Sequence, residues 1–124
     1  MADSAVEAQR KALEKQTMEL QGLRREQSGL VESRQKLDSQ LQENELVEKE
    51  FGLLKDGARI FKMIGPVLVP QDRTEAVSNV GKRLEFIRDE IKRVDQRLEK
   101  LGQEQQTASM NAYKLQMALQ SKSE

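Results

Sequence analysis

Residues 77–119 read VSNVGKRLEFIRDEIKRVDQRLEKLGQEQQTASMNAYKLQMAL, and their spacing decides the fold. Steps of three and four residues run through Val77, Val80, Leu84, Ile87, Ile91, Val94, Leu98, Leu101, Gln105, Ala108, Ala112, Leu115 and Leu119. Gln105 is the one polar residue in the series. An apolar period of 3.5 sustained over this length keeps one stripe of a helix against a partner helix as the two supercoil. The partner is in the same chain. Leu13, Gln16, Leu20, Leu23, Gln27, Leu30, Arg34, Leu37, Leu41, Asn44, Glu48 and Phe51 repeat the spacing. Folding the chain on itself aligns the two seams in one register: Phe51 with Val77, Leu41 with Ile87, Leu30 with Leu98, Leu13 with Leu115. The expected fold is mainly α, a long antiparallel two-helix coiled coil.

Composition agrees. The 124 residues include three Phe, one Tyr and no Trp, with 36% apolar and 34% charged side chains, too little for a conventional core and right for long solvated helices. Lys plus Arg and Asp plus Glu both number 21 and are interspersed. Nucleic acid is therefore not an expected partner, since its binders gather cations on one face. There is no Cys and no His, which removes thiolate chemistry, the usual general base and the commonest metal ligand. No catalytic, metal-binding or cofactor-binding constellation is present in the pattern. No apolar run approaches the roughly 18 residues that span a bilayer, and the first residues carry no secretory signal, so a soluble intracellular protein is expected.

Between the seams the period changes. Arg59 to Ile64, then Gly65-Pro66, then Val67 to Pro70 read as two short strands about a tight turn. Closing the hairpin there places Ile64 opposite Val67, Met63 opposite Leu68 and Lys62 opposite Val69. Phe61, Met63 and Leu68 share one face; Ile60, Ile64, Val67 and Val69 share the other. The first helix is expected over about 4–55, capped by Ser4 with Glu7 and stopped by Asp56-Gly57. The hairpin is expected over about 58–70 and the second helix over about 72–120, capped by Asp72 with Glu75, all in one domain spanning 1–124.

A lone two-stranded hairpin is marginal in water, and one with apolar residues on both faces and two unpaired edges is a template for further strands. Ile60, Phe61, Met63, Ile64, Val67, Leu68 and Val69 are accordingly the expected oligomer interface, strands joining strands of other chains into a larger sheet or barrel. The alternative is a hairpin folded back as a cap on its own helices.

A long helix, a short apolar hairpin and a long helix resembles the β-type subunits of prefoldin. The likeness is specific in Phe61-Lys62-Met63-Ile64-Gly65-Pro66-Val67-Leu68-Val69, in Glu75-Ala76, and in Val80-Gly81-Lys82-Arg83-Leu84-Glu85-Phe86-Ile87. An α-type subunit would carry two hairpins between its helices; this chain has room for one. The resemblance implies a cytoplasmic heterohexameric cochaperone of two α-type and four β-type subunits, whose hairpins form a double β-barrel platform. It implies that non-native proteins such as actin and tubulin are held at the coiled-coil tips without ATP. It also implies that they are passed to the cytosolic group II chaperonin.

In this chain the tips are residues 1–20 and 105–124. Small and polar seam residues there, such as Gln16 facing Ala112 and Leu20 facing Ala108, bury less area than Leu41 with Ile87, so the coil is expected to loosen and offer Leu13, Leu115 and Leu119. Met110, Tyr113 and Met117 fall at i, i+3 and i+7 on the outward face of the second helix, and Met18 is outward on the first. Methionine adapts to changing apolar partners, which suits the capture of many unfolded chains. Ordinary exposed apolar residues, or packing on a neighbouring arm, would produce the same pattern. Arg34 and Glu48 in the seam read as side chains that snorkel; Asn44 reads either so or as a register-fixing polar residue. The competing function is a structural or tethering coiled coil with no chaperone activity, which leaves the apolar hairpin unexplained.

Overall fold

The computed structural model describes residues 2–123, in the order α1 (Ala2–Leu53), β1 (Ile60–Ile64), β2 (Val67–Gln71) and α2 (Arg73–Ser123). Two long helices joined by one antiparallel hairpin are the expected architecture. The chain divides into two compact units, residues 34–93 and residues 1–33 with 94–124.

Helix α1 starts at Ala2, so Ser4 lies within its first turn rather than at its cap. The Ala residues at 2, 5 and 8 carry the helix past Ser4, and Asp3 supplies the negative charge that suits a helix N-terminus. Helix α1 ends at Leu53, two residues before the expected stop. The chain then turns with Leu54 N–H donating to Phe51 O (3.3 Å) and Ala58 N–H to Lys55 O (3.1 Å). Gly57 has φ 86°, a left-handed conformation that glycine adopts without steric cost.

In the unit of residues 34–93, the strands pair in the anticipated register: Ile60 with Gln71, Phe61 with Pro70, Lys62 with Val69, Met63 with Leu68, Ile64 with Val67. Gly65 at φ 60° followed by Pro66 matches a two-residue hairpin turn with glycine first, whose twist suits the flanking strands. Asp72 caps α2, its Oδ2 accepting the Glu75 N–H at 3.1 Å and its carbonyl the Ala76 N–H at 2.9 Å. Ala76, Val80, Leu84 and Ile87 are buried, with Leu84 only 1% exposed. They stand opposite half-buried Leu37, Leu41, Asn44, Val47, Phe51 and Leu54 of the returning chain.

Here the seam departs from the strict heptad. Val77 is exposed and Ala76 buried; Glu48 is exposed and Val47 half-buried. One seam position on each helix has thus shifted by one residue, while Phe51, Val80, Leu84 and Ile87 keep the expected places. An α-helix has 3.6 residues per turn, so a 3.5 repeat drifts by about 20° per heptad unless the pair supercoils. Beside the strands that drift brings in the small Ala76 and the apolar Val47. Asn44 does not fix the register across the pair: its Nδ2 donates to Gln40 O of its own helix at 2.7 Å.

In the unit of residues 1–33 and 94–124, Leu101 is fully buried and Ala108 nearly so. Leu13, Gln16, Leu20, Leu23, Gln27 and Leu30 are half-buried on α1. The polar seam residues answer one another, Gln105 Nε2 donating to Gln27 Oε1 at 3.1 Å. Arg97 clasps Glu26 through two bonds, 2.7 Å and 3.0 Å, and approaches Glu104 at 3.5 Å. The Arg97 hydrogen bonds hold the Glu26 carboxyl below its usual range, and Glu26 raises Arg97 in turn. This cluster is exposed to water, so its value lies in alignment more than in stability. Beyond Ala108 no described residue of α2 is buried, in keeping with a looser packing there.

Candidate assembly hairpin and client-contact end

The hairpin presents its apolar side chains to solvent. Phe61, Met63, Ile64, Val67, Leu68 and Val69 are all exposed, from 37% at Val69 to 70% at Met63, and Ile60 is half-buried. Strand alternation and the observed pairing put Phe61, Met63, Leu68 and Pro70 on one face. Ile60, Ile64, Val67 and Val69 lie on the other, with Lys62. Neither face folds back as a cap. The sheet has two strands, so each keeps one outer edge unpaired among the described residues. Pro70 lacks an N–H, which such an edge tolerates.

Sequence reasoning missed the residue that ties the hairpin junction together. Arg73, the first residue of α2, reaches across to the end of α1 and donates to Leu54 O (3.1 Å), Phe51 O (3.2 Å) and Lys55 O (3.5 Å). They lie at and just past the C-terminal end of α1, where a cation is favoured by the helix dipole, and two of them, Phe51 O and Lys55 O, also accept a backbone N–H. The antiparallel layout was the available signal, because it brings the start of α2 beside the end of α1. Arg73→Ala is expected to destabilise this junction by about 2 kcal/mol, since partly buried carbonyls lose charged donors. Arg73→Lys is expected to recover only part of it. Amide hydrogen exchange at residues 51–58 is the measurement, with faster exchange in both variants.

In the other unit, Met18 is 72% exposed, and Met110, Tyr113 and Met117 are exposed on α2. Leu13, Leu115 and Leu119 are half-buried. The expected outward set is therefore at the surface, and the seam set is partly covered. An open groove of about 680 Å³ lies nearby in this unit, lined by Gly22, Leu23, Lys100, Glu104, Thr107 and Ala108 among others. Among the described residues no group of acidic side chains could hold a metal ion, and no helix is long and apolar enough to cross a membrane.

Comparison with known proteins gives these features a context. A family model described as prefoldin subunit matches residues 14–118. Prefoldin subunit 6 of Arabidopsis thaliana is 40% identical over 120 residues, covering 97% of this chain and 93% of that protein. Prefoldin subunit 6 of Homo sapiens is 38% identical over 110 residues, covering 89% and 85%. Among solved structures, the prefoldin beta subunit from Thermococcus strain KS-1 matches with a TM-score of 0.74 at 19% identity. That match covers 87% of this chain and 92% of the other, and it supports the fold.

Proposed function

This chain belongs to the prefoldin subunit family, and we propose that it serves there as a β-type subunit that captures non-native polypeptides within a heterohexamer. The family is one of chaperone subunits, so assembly with other prefoldin subunits follows from membership. The observation that carries the fuller reading is the hairpin: ten residues with apolar side chains exposed on both faces and a free edge on each strand. Exposed apolar area of that kind is costly to leave in water and is relieved by strands of neighbouring subunits.

Capture itself falls to Leu13, Met18, Met110, Tyr113, Leu115, Met117 and Leu119. The adaptable methionines make first contact, and the loosely covered leucines add area when the coil opens. Weak, reversible contact with many sequences needs no nucleotide and no catalytic group, and release is by transfer. The substrates are unfolded chains such as actin and tubulin, the recipient is the cytosolic group II chaperonin, and the compartment is the cytoplasm.

The test is suppression of client aggregation by the complex reconstituted with its other prefoldin subunits. Met110→Ser, Tyr113→Ser and Met117→Ser together are expected to leave assembly intact and to weaken suppression about tenfold, each truncation removing on the order of 0.5 kcal/mol of contact. Unchanged suppression by the assembled triple variant would remove these residues from the client surface.

A further inference from the structure

The helices of residues 34–93 carry exposed apolar side chains of their own, and these are not scattered. Leu46 is 57% exposed, Leu53 74% and Phe86 64%. In an antiparallel pair the residue preceding each seam position falls on the same flank of both helices. Reversing one helix also reverses the sense in which its residues advance around the pair. Leu46 precedes Val47, Phe86 precedes Ile87, and Leu53 follows Leu46 by two turns. The opposite flank is marked independently by Glu45 and Arg88, which follow Asn44 and Ile87 and pair at 3.4 Å. Val77, which follows Ala76, belongs with them.

Beside Phe86 a groove of about 410 Å³ is lined by Gln40, Asn44, Lys82, Arg83, Phe86 and Ile87. Neither Lys82 nor Arg83 has an ion pair among the described residues. By the same rule Glu43 and Glu50, which precede Asn44 and Phe51, stand on this flank, so its apolar stripe is bordered by charges of both signs.

We infer that this flank is a second part of the subunit interface, occupied by an amphipathic helical segment of a neighbouring prefoldin subunit. The inference rests on the reading of the chain as a subunit assembled through its hairpin. Size argues for that occupant. A stable interface engages about 20–30 residues a side, and the two strands together offer ten. The interface therefore continues onto the helices, and the flank bearing Leu53, Leu46 and Phe86 continues it from the end of α1 that leads into the hairpin.

The experiment uses the complex reconstituted from all its subunits and reads the subunit concentration at half-dissociation, together with client suppression. Leu46→Ser with Phe86→Ser is expected to raise that concentration about tenfold or more. Val77→Ser on the other flank is expected to change it by less than about twofold. The hairpin variant Phe61→Asp with Leu68→Asp separates the two ideas. If it fails to assemble while the Leu46 and Phe86 variant assembles like the parent, the flank is no interface and the inference falls. If it assembles normally, the hairpin reading itself falls. If the flank variants assemble normally but suppress aggregation poorly, the groove serves clients, and the inference is again overturned.

Discussion

Phe61→Asp combined with Leu68→Asp is expected to abolish incorporation of this chain into a prefoldin complex while leaving its helices intact. The two side chains share one face of the hairpin, about half exposed in the chain by itself. Carboxylates there cost the isolated chain little, because they remain in water. Inside an assembled sheet or barrel each would be an unpaired charge withdrawn from solvent, at an effective cost of several kcal/mol. Two of them exceed what a standard interface tolerates, and a weakening of more than about a thousandfold follows from each 1.4 kcal/mol being a factor of ten. Helices α1 and α2 span 52 and 51 residues, so the far-ultraviolet circular dichroism is expected to stay near that of the parent. Native mass spectrometry of the complex isolated from cells is the direct readout. A variant that assembles as the parent does would mean that the helices perform the association, and the tethering coiled-coil reading would replace the chaperone one.

Leu101→Ala is expected to be the most damaging truncation in the unit of residues 1–33 and 94–124. Leu101 is 0% exposed, and the only other buried side chain described in that unit is Ala108. Removing a fully buried leucine costs about 2–5 kcal/mol, the transfer of the lost methyl groups plus the cavity left behind. Against a total stability of about 5–15 kcal/mol this is a large share. The expected result is a fall in the unfolding midpoint of at least about 8 °C and faster amide exchange on both sides of the seam. Leu115→Ala, at a half-buried seam position, is expected to cost roughly a third as much. Equal effects at the two sites would show that packing in this unit is not centred on Leu101.

The contrast between Leu101 and Val77 shows how far a repeat can be read. Both occupy seam positions in the heptad that runs from Val77 to Leu119, and only Leu101 is buried. The repeat states which residues can share a stripe, and in the middle of a long helix nothing competes with it. Near the hairpin the helix ends are also held by Asp72, by Gly57 and by Arg73. There Ala76 is buried and Val47 half-buried in place of Val77 and Glu48. The hairpin was more legible, because a two-residue turn leaves no freedom of register: once Gly65-Pro66 is the turn, every pair from Ile64–Val67 outward follows.

The residues proposed for client contact divide along the same line. The outward placement of Met18, Met110, Tyr113 and Met117 follows from helical spacing alone, and their exposure agrees with it. The partial cover over Leu13, Leu115 and Leu119 depends on how closely the two helices approach, which no spacing states.

By itself, then, the sequence determined two antiparallel helices, one hairpin and its register, and an apolar hairpin surface. Each of these rests on a period or a turn that a few neighbouring residues impose. Only the tertiary structure decided the one-residue shift of a seam position on each helix, the capping of α1 by Arg73 and the common flank of Leu46 and Phe86. Each depends on the separation and rotation of two chain segments that are distant in sequence, and those quantities are set by packing rather than by any local pattern.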